Sequence, residues 1–204
     1  MAGDRSPLRG VVTEGFLLVG AAILIAIVVR AFVAQAFFIP SASMEPQLLV
    51  GDRVVVSRIA YRLHEPNRGD VVVFDCPPEA TCPPPADERP LPLRVLFGAG
   101  EAIGVRQPST EEFIKRVVAL PGETVEGRDG RVWIGGRLLV EPYLLPGTPT
   151  SDFAPVTVPD SHLWVMGDNR TNSSDSRSFG TIEQDTVVGR AVLRVWPPDR
   201  TAFL

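Results

Sequence analysis

From Gly15 to Val29 the chain reads GFLLVGAAILIAIVV, an unbroken run without a charge. The run is apolar on every side, so it does not suit one face of a helix on a soluble core. At 1.5 Å per residue it covers about 22 Å, short of the ~30 Å hydrocarbon core of a bilayer. Beyond Arg30 the pattern resumes as AFVAQAFFI, Ala31 to Ile39, interrupted only by Gln35. Residues 14–36 are therefore expected to form one membrane-spanning helix, with the Arg30 stem snorkelling to the interface. Arg5 and Arg9 precede the run, partly offset by Asp4 and Glu14, and the positive-inside tendency keeps residues 1–13 cytoplasmic. Residues 37–204 would then lie on the outer face of the plasma membrane. The rival is a cleaved secretory signal peptide with Ala34-Gln35-Ala36 as its processing site. Against it, Arg30 interrupts the stretch before that site, and cleavage would expose Phe37, Phe38 and Ile39 at a new terminus.

The rest of the chain of 204 residues is punctuated by turns. Proline numbers 20 and glycine 18, which argues against a helical bundle and for short strands. Net charge is -4, so there is no global basic field to attract nucleic acid. Strands are expected at Arg53–Ser57, Val71–Phe74, Phe113–Leu120, His162–Met166 and Val187–Trp196. A three-stranded meander is expected where Asp129-Gly130 separates TVEGR from RVWI and Gly135-Gly136 separates RVWI from RLLV. Pro121-Gly122 reads as a type II turn. Residues 77–111 look like an irregular proline-rich insertion, with a short surface helix within Leu91–Val105. Cys76 and Cys82 bracket its start, and in an exported domain a disulfide closing that loop is the favoured reading over two free thiols. Two cysteines and two histidines, His64 and His162, offer little for a structural zinc site.

Three polar stretches stand out: Pro40-Ser41-Ala42-Ser43-Met44-Glu45-Pro46, Lys115 within FIKRVVAL, and Gly167 to Arg177. With period two, Phe113, Lys115, Val117 and Ala119 share one strand face. Burial there would disfavour the ammonium and make Lys115 a competent general base. An edge-strand lysine reaching water is the plainer alternative. Ser43 follows a proline-led turn, where a hydroxyl projects. His64 sits in a polar loop and His162 precedes an apolar strand, so neither reads as its base.

The order PSASMEP, RGDVVVF, FIKRVVALPGE and GDNRTNSSDSR, behind an apolar segment, resembles bacterial type I signal peptidase, the serine–lysine peptidases of family S26. The resemblance runs from about Phe37 to Trp196, apart from the insertion. It implies a mainly β fold: an antiparallel sheet or partly open barrel, as in self-cleaving repressors, behind one N-terminal transmembrane helix. It implies Ser43 as nucleophile and Lys115 as general base. Ser41 would join the Ser43 amide in an oxyanion hole, and Ser173 would orient the lysine. Asp175 and Arg177 would brace the site, with Gly167, Asp168 and Asn169 as its structural turn. Phe37, Ile39, Pro40, Val73, Phe113 and Ile114 match substrate-pocket positions. Ala42 stands where many members have glycine, and Thr171 where an acidic or amide residue is common; neither change removes a reacting group. The implied partners are exported preproteins cut after small residues, A-x-A-like, and the lipid bilayer. The implied mechanism requires no metal or organic cofactor, and a monomer is expected. Two rivals differ in substrate or activity. One is a Ser-Lys peptidase acting on another protein, such as the self-cleaving repressors, which lack a leading membrane segment. The other is a non-catalytic membrane-tethered binding domain, which predicts loss of Ser43 or Lys115.

Overall fold

The computed structural model describes residues 14–15, 17–22, 34–78, 80, 105–106 and 112–204. Its frame is antiparallel pairing driven by alternation of buried and exposed side chains. The strands, in chain order, are β1 (Ala34–Phe38), β2 (Arg53–Ser57), β3 (Val71–Asp75), β4 (Val105–Arg106), β5 (Glu112–Ala119), β6 (Thr124–Arg128), β7 (Arg131–Ile134), β8 (Arg137–Leu138), β9 (Phe153–Thr157), β10 (His162–Met166), β11 (Ile182–Glu183), β12 (Val187–Trp196) and β13 (Ala202–Phe203). The large sheet runs β11-β10-β5-β3-β12-β2-β1-β4, with β13 added against β12, and a smaller sheet runs β8-β7-β6-β9. Among the described residues from Ala34 onward, the α-helix is limited to single turns, Ala60–Leu63 and Ser176–Phe179.

β5 lies between β3 and β10 and is buried along most of its length. Its register sets Lys115 opposite Val72 and Arg116 opposite Val71. Three apolar clusters hold the sheets. One joins Phe37, Ile39, Met44 and Leu48 to Val54, Val56, Val71, Val73 and Ile114. A second gathers Val72, Phe74, Val117, Leu163, Val165, Phe179 and Ile182. The third seats the small sheet on the large one through Val118, Val125, Val132, Trp164 and Met166.

The meander forms as its turns dictate. Asp129 and Gly130 have φ of 54° and 72°, and Gly135 and Gly136 have 54° and 74°. Two-residue loops with both φ positive are type I′, whose twist matches that of the strands they join. The third meander strand is shorter than RLLV: β8 stops at Leu138, and Val140 is exposed. β9 was not expected, because Pro155 breaks its pattern. It is an edge strand of the small sheet, where a residue without an amide proton is tolerated.

At the N-terminus, residues 14–15 and 17–22 are helical and exposed. Among the described residues no helix is long and apolar enough to cross a membrane. Residues 1–13 and 23–33 lie outside the described residues. Ala34–Ala36, expected to end the spanning helix, instead begin β1, paired with β2 from Ala34 opposite Ser57 to Phe38 opposite Arg53. Extended pairing satisfies their backbone and buries Phe37, so cleavage after Ala36 would cut a core strand. Within the expected insertion, Val105–Arg106 pairs in parallel with Ala36–Phe37. The surface helix expected within Leu91–Val105 otherwise lies outside the described residues. Cys76 is disulfide-bonded, and Cys82, its expected partner, is also outside them.

Candidate active site

β1 ends where Ile39 exchanges backbone hydrogen bonds with Asp52 and Gly51, both at 2.9 Å. The chain then turns through Pro40 and Ser41 into a 3-10 turn, Ala42–Met44. Met44 and Leu48 are fully buried in the cluster beneath, which pins the turn from below. Ser43 is left at 8% exposure, and the exposed Ser41 places its Oγ 3.3 Å from Ser43 Oγ.

Lys115 approaches from β5. Its Nζ donates to Ser43 Oγ at 2.9 Å and to the Ile114 carbonyl at 2.9 Å. The side chain is 3% exposed, and Nζ lies 5.4 Å from the centre of the Phe113 ring. Burial strips solvent from the ammonium and lowers its pKa to about 8, while the negative charges of Asp175 and Asp168 act in the opposite direction. The strand period placed Lys115 among apolar neighbours; the structure adds that it stays there rather than reaching water.

The Gly167–Asn169 turn abuts the Ala42–Met44 turn. A Cβ on Gly167 would stand 2.5 Å from the Ser43 carbonyl oxygen and 2.2 Å from Ser173 Oγ, so this position admits only hydrogen. The Asn169 amide donates to the Ser43 carbonyl at 3.0 Å, and its side-chain Nδ2 donates to the Ala42 carbonyl at 3.1 Å. Asp168 accepts two hydrogen bonds from Arg116, at 2.8 and 2.7 Å, with both side chains buried. Asp175 is fully buried. It accepts from the Gly167 amide at 3.0 Å and from Arg177 Nε and Nη2, each at 2.8 Å. Burial alone would raise the Asp175 carboxyl; the hydrogen bonds and charge of Arg177 and the Gly167 amide outweigh it and hold the pKa below the usual carboxylate value.

Other expected residues are placed differently. No hydrogen bond joins Ser173 to Lys115. Its Oγ is packed over the Gly167 α-carbon, adding to the field at Asp175 but lacking a hydrogen-bond partner at ordinary distance. The Ile114 carbonyl holds the amine instead. The six pocket positions divide. Phe37, Ile39, Val73 and Ile114 share the buried cluster under Met44, Phe113 packs with Phe74 and Phe179, and Pro40 is exposed. His64 and His162 each place Nδ1 against a nearby backbone carbonyl, of Glu65 and Asp160.

Arg116 was not singled out beforehand. It lies on the apolar Ile114 and Val118 face of β5, and a charge so placed demands a buried partner. That demand was the available signal. Besides Asp168, Arg116 bonds the Gly69 carbonyl at 2.7 Å and Gln47 at 2.9 Å.

A serine hydroxyl hydrogen-bonded to a buried lysine of lowered pKa is an arrangement fit for acyl transfer. The sequence model of signal peptidase, peptidase S26, matches residues 12–196. The chain is 39% identical over 192 residues to signal peptidase I of Leptolyngbya laminosa, covering 94% of this chain and 83% of that one. It is 38% identical over 224 residues to signal peptidase I of Mycobacterium tuberculosis, covering 96% and 76%. Thylakoidal processing peptidase 1 of Arabidopsis thaliana is 33% identical over 202 residues, 98% of this chain and 53% of that one. Among solved structures, a signal peptidase I from Enterococcus faecalis aligns with 28% identity and a TM-score of 0.43, over 63% of this chain and 98% of that one. The chain therefore belongs to the signal peptidase family, peptidase S26. Within it, the relatives mark a signal peptidase I enzyme.

Proposed function

We propose that this chain is a membrane-anchored serine endopeptidase that removes N-terminal signal peptides from exported preproteins, cutting after small residues with Ser43 and Lys115 as its dyad. The observation that carries the dyad is the 2.9 Å hydrogen bond between Lys115 Nζ and Ser43 Oγ inside a buried site. The neutral amine takes the Ser43 proton as Oγ attacks the scissile carbonyl. The Ser43 amide and the Ser41 hydroxyl stabilise the oxyanion; loss of one such donor typically costs ~10²–10³ in rate. Lys115 then protonates the leaving amine and activates water to hydrolyse the acyl-enzyme. The Ile114 carbonyl aims the amine, and the Asp175–Arg177 pair braces the Gly167 turn behind it. The substrate would bind as an added extended strand with alternate side chains in shallow pockets. The residues that act are all side chains and amides of this chain, which is taken as a monomer.

The anchor rests on the charge-free run Gly15–Val29. In its described part, Leu17, Leu18 and Val19 are 73%, 72% and 58% exposed, and surfaces of that kind suit lipid. An anchor ending just before β1 brings Ser43 close to the bilayer, where signal-peptide cleavage sites emerge, and raises the effective concentration of enzyme. With Arg5 and Arg9 keeping the N-terminus cytoplasmic, the catalytic domain would lie on the outer face of the plasma membrane.

The test is cleavage of a purified preprotein by the full chain in proteoliposomes. Wild type is expected to release the signal peptide, while Ser43→Ala and Lys115→Ala, though folded, release none. Turnover by either variant would sink the dyad. N-terminal sequencing of the membrane-purified chain checks the anchor, which a terminus at Phe37 would refute.

A further inference from the structure

The Gly167–Arg170 turn has two sides. Gly167 and Asn169 face the nucleophile turn; Asp168 and Arg170 are tied elsewhere. Arg170 has no exposed side-chain surface. Its Nε donates to the Gly167 carbonyl at 3.0 Å and its Nη1 to Thr150 Oγ1 at 2.9 Å. Nη1 and Nη2 also grip the two oxygens of Glu141. Glu141 belongs to the segment that leaves β8 of the small sheet, and its side chain is 9% exposed. Its carboxylate also accepts the Tyr143 hydroxyl at 2.7 Å. The Tyr143 ring in turn lies 4.1 Å from the Arg116 guanidinium, whose own residue follows Lys115.

We infer that Glu141 is a positioning residue for the reaction: through Arg170 it fixes the Gly167 carbonyl, and so the place from which Asn169 grips the nucleophile turn. The inference rests on the Ser43–Lys115 reading above. Glu141 forms no hydrogen bond with Ser43 or Lys115. Its effect passes through a forked carboxylate–guanidinium contact, which fixes direction as well as distance. Arg170 is held at both ends, by Glu141 on the small sheet and by Gly167 on the catalytic turn. Asn169, its neighbour in sequence, holds the Ala42 and Ser43 carbonyls. Weakening Glu141 frees one end of this chain of contacts, and displacement of a nucleophile by about 1 Å is enough to cost ~10²-fold in rate.

The experiment compares full-chain wild type, Glu141→Gln, Tyr143→Phe and Glu126→Gln in proteoliposomes, measuring kcat and KM for preprotein cleavage per folded molecule. Glu126 is a control carboxylate on the small sheet, paired with Arg128 at the surface. Glu141→Gln is expected to lower kcat about 10–100-fold with KM unchanged within about twofold, because the substrate does not touch it. Tyr143→Phe keeps every charge and serves if Glu141→Gln fails to fold; its kcat per folded molecule should fall by a smaller factor, about 3–10-fold, alongside a lowered thermal midpoint from the lost hydrogen bond. Glu126→Gln should match wild type. Wild-type kcat in Tyr143→Phe and in any folded Glu141→Gln overturns the inference. So does a loss fully accounted for by unfolded protein. Failure of wild type to cleave, or cleavage by Ser43→Ala, would instead bring down the Ser43–Lys115 reading and the inference with it.

Discussion

Burial of Lys115 should weaken the fold, by an amount that depends on pH. Lys115 is 3% exposed, and its pKa falls from the ordinary 10.5 to about 8. Each unit is worth about 1.4 kcal/mol, so the charged side chain destabilises the folded state by about 3 kcal/mol. Below pH 8 both states carry the proton, and the full cost is present. Between pH 8 and 10.5 only the unfolded chain retains it, so the free energy of unfolding gains this amount as pH rises. Above 10.5 the group contributes no further change. Lys115→Met keeps the stem and removes the titration. Urea unfolding followed by tryptophan fluorescence, to which the buried Trp164 contributes, measures both proteins in detergent at closely spaced pH values. The difference between wild type and Lys115→Met should change by about 3 kcal/mol from pH 7.5 to 10.5, because other titrating groups cancel. Parallel curves across that window would refute the argument that burial shifts this amine.

Three further outcomes follow from the same geometry. Gly167→Ala should cut kcat by at least about 100-fold, and adding Ser173→Ala should not restore it, because the Ser43 backbone oxygen still blocks the Cβ. Asp175→Asn leaves Arg177 without its buried partner and should cost about 3–5 kcal/mol by thermal or urea unfolding. The Asp175 pKa is held low, so in wild type the contribution of this pair is present above the usual carboxylate range and is lost as pH falls through the folded value. In any Asp175→Asn that folds, the acidic limb of the rate profile should lie at lower pH than in wild type, since this carboxylate raises the Lys115 pKa.

What could be read from the chain was local. β2, β6, β7, β10 and β12 match their expected bounds because alternation and turn residues act over a few positions. Ser43 and Lys115 were legible through the motifs around them, and the strand period of FIKRVVAL explained why burial would lower the lysine. β1 was masked by its own apolarity: AQAFF continues a hydrophobic run, and its strand character depends on pairing with β2. The contacts that shape the site are non-local. Arg116 meets Asp168, 52 positions away, and Arg170 meets Glu141, 29 positions back. No periodicity encodes such pairs. Ser173 shows the converse case. Its motif suggested a contact with Lys115, but close packing on Gly167 and the nearer Ile114 carbonyl decide otherwise.

The central claim is that Lys115, neutral and buried, removes the Ser43 proton. The pH dependence of kcat/KM for preprotein cleavage tests it most directly, because this profile reports the ionisation of the free enzyme's essential base. A single rise to a plateau with its midpoint at about 8 is expected, as the amine loses its proton. A flat profile between pH 6 and 10, or a midpoint near the ordinary histidine value of ~6.5, would contradict it.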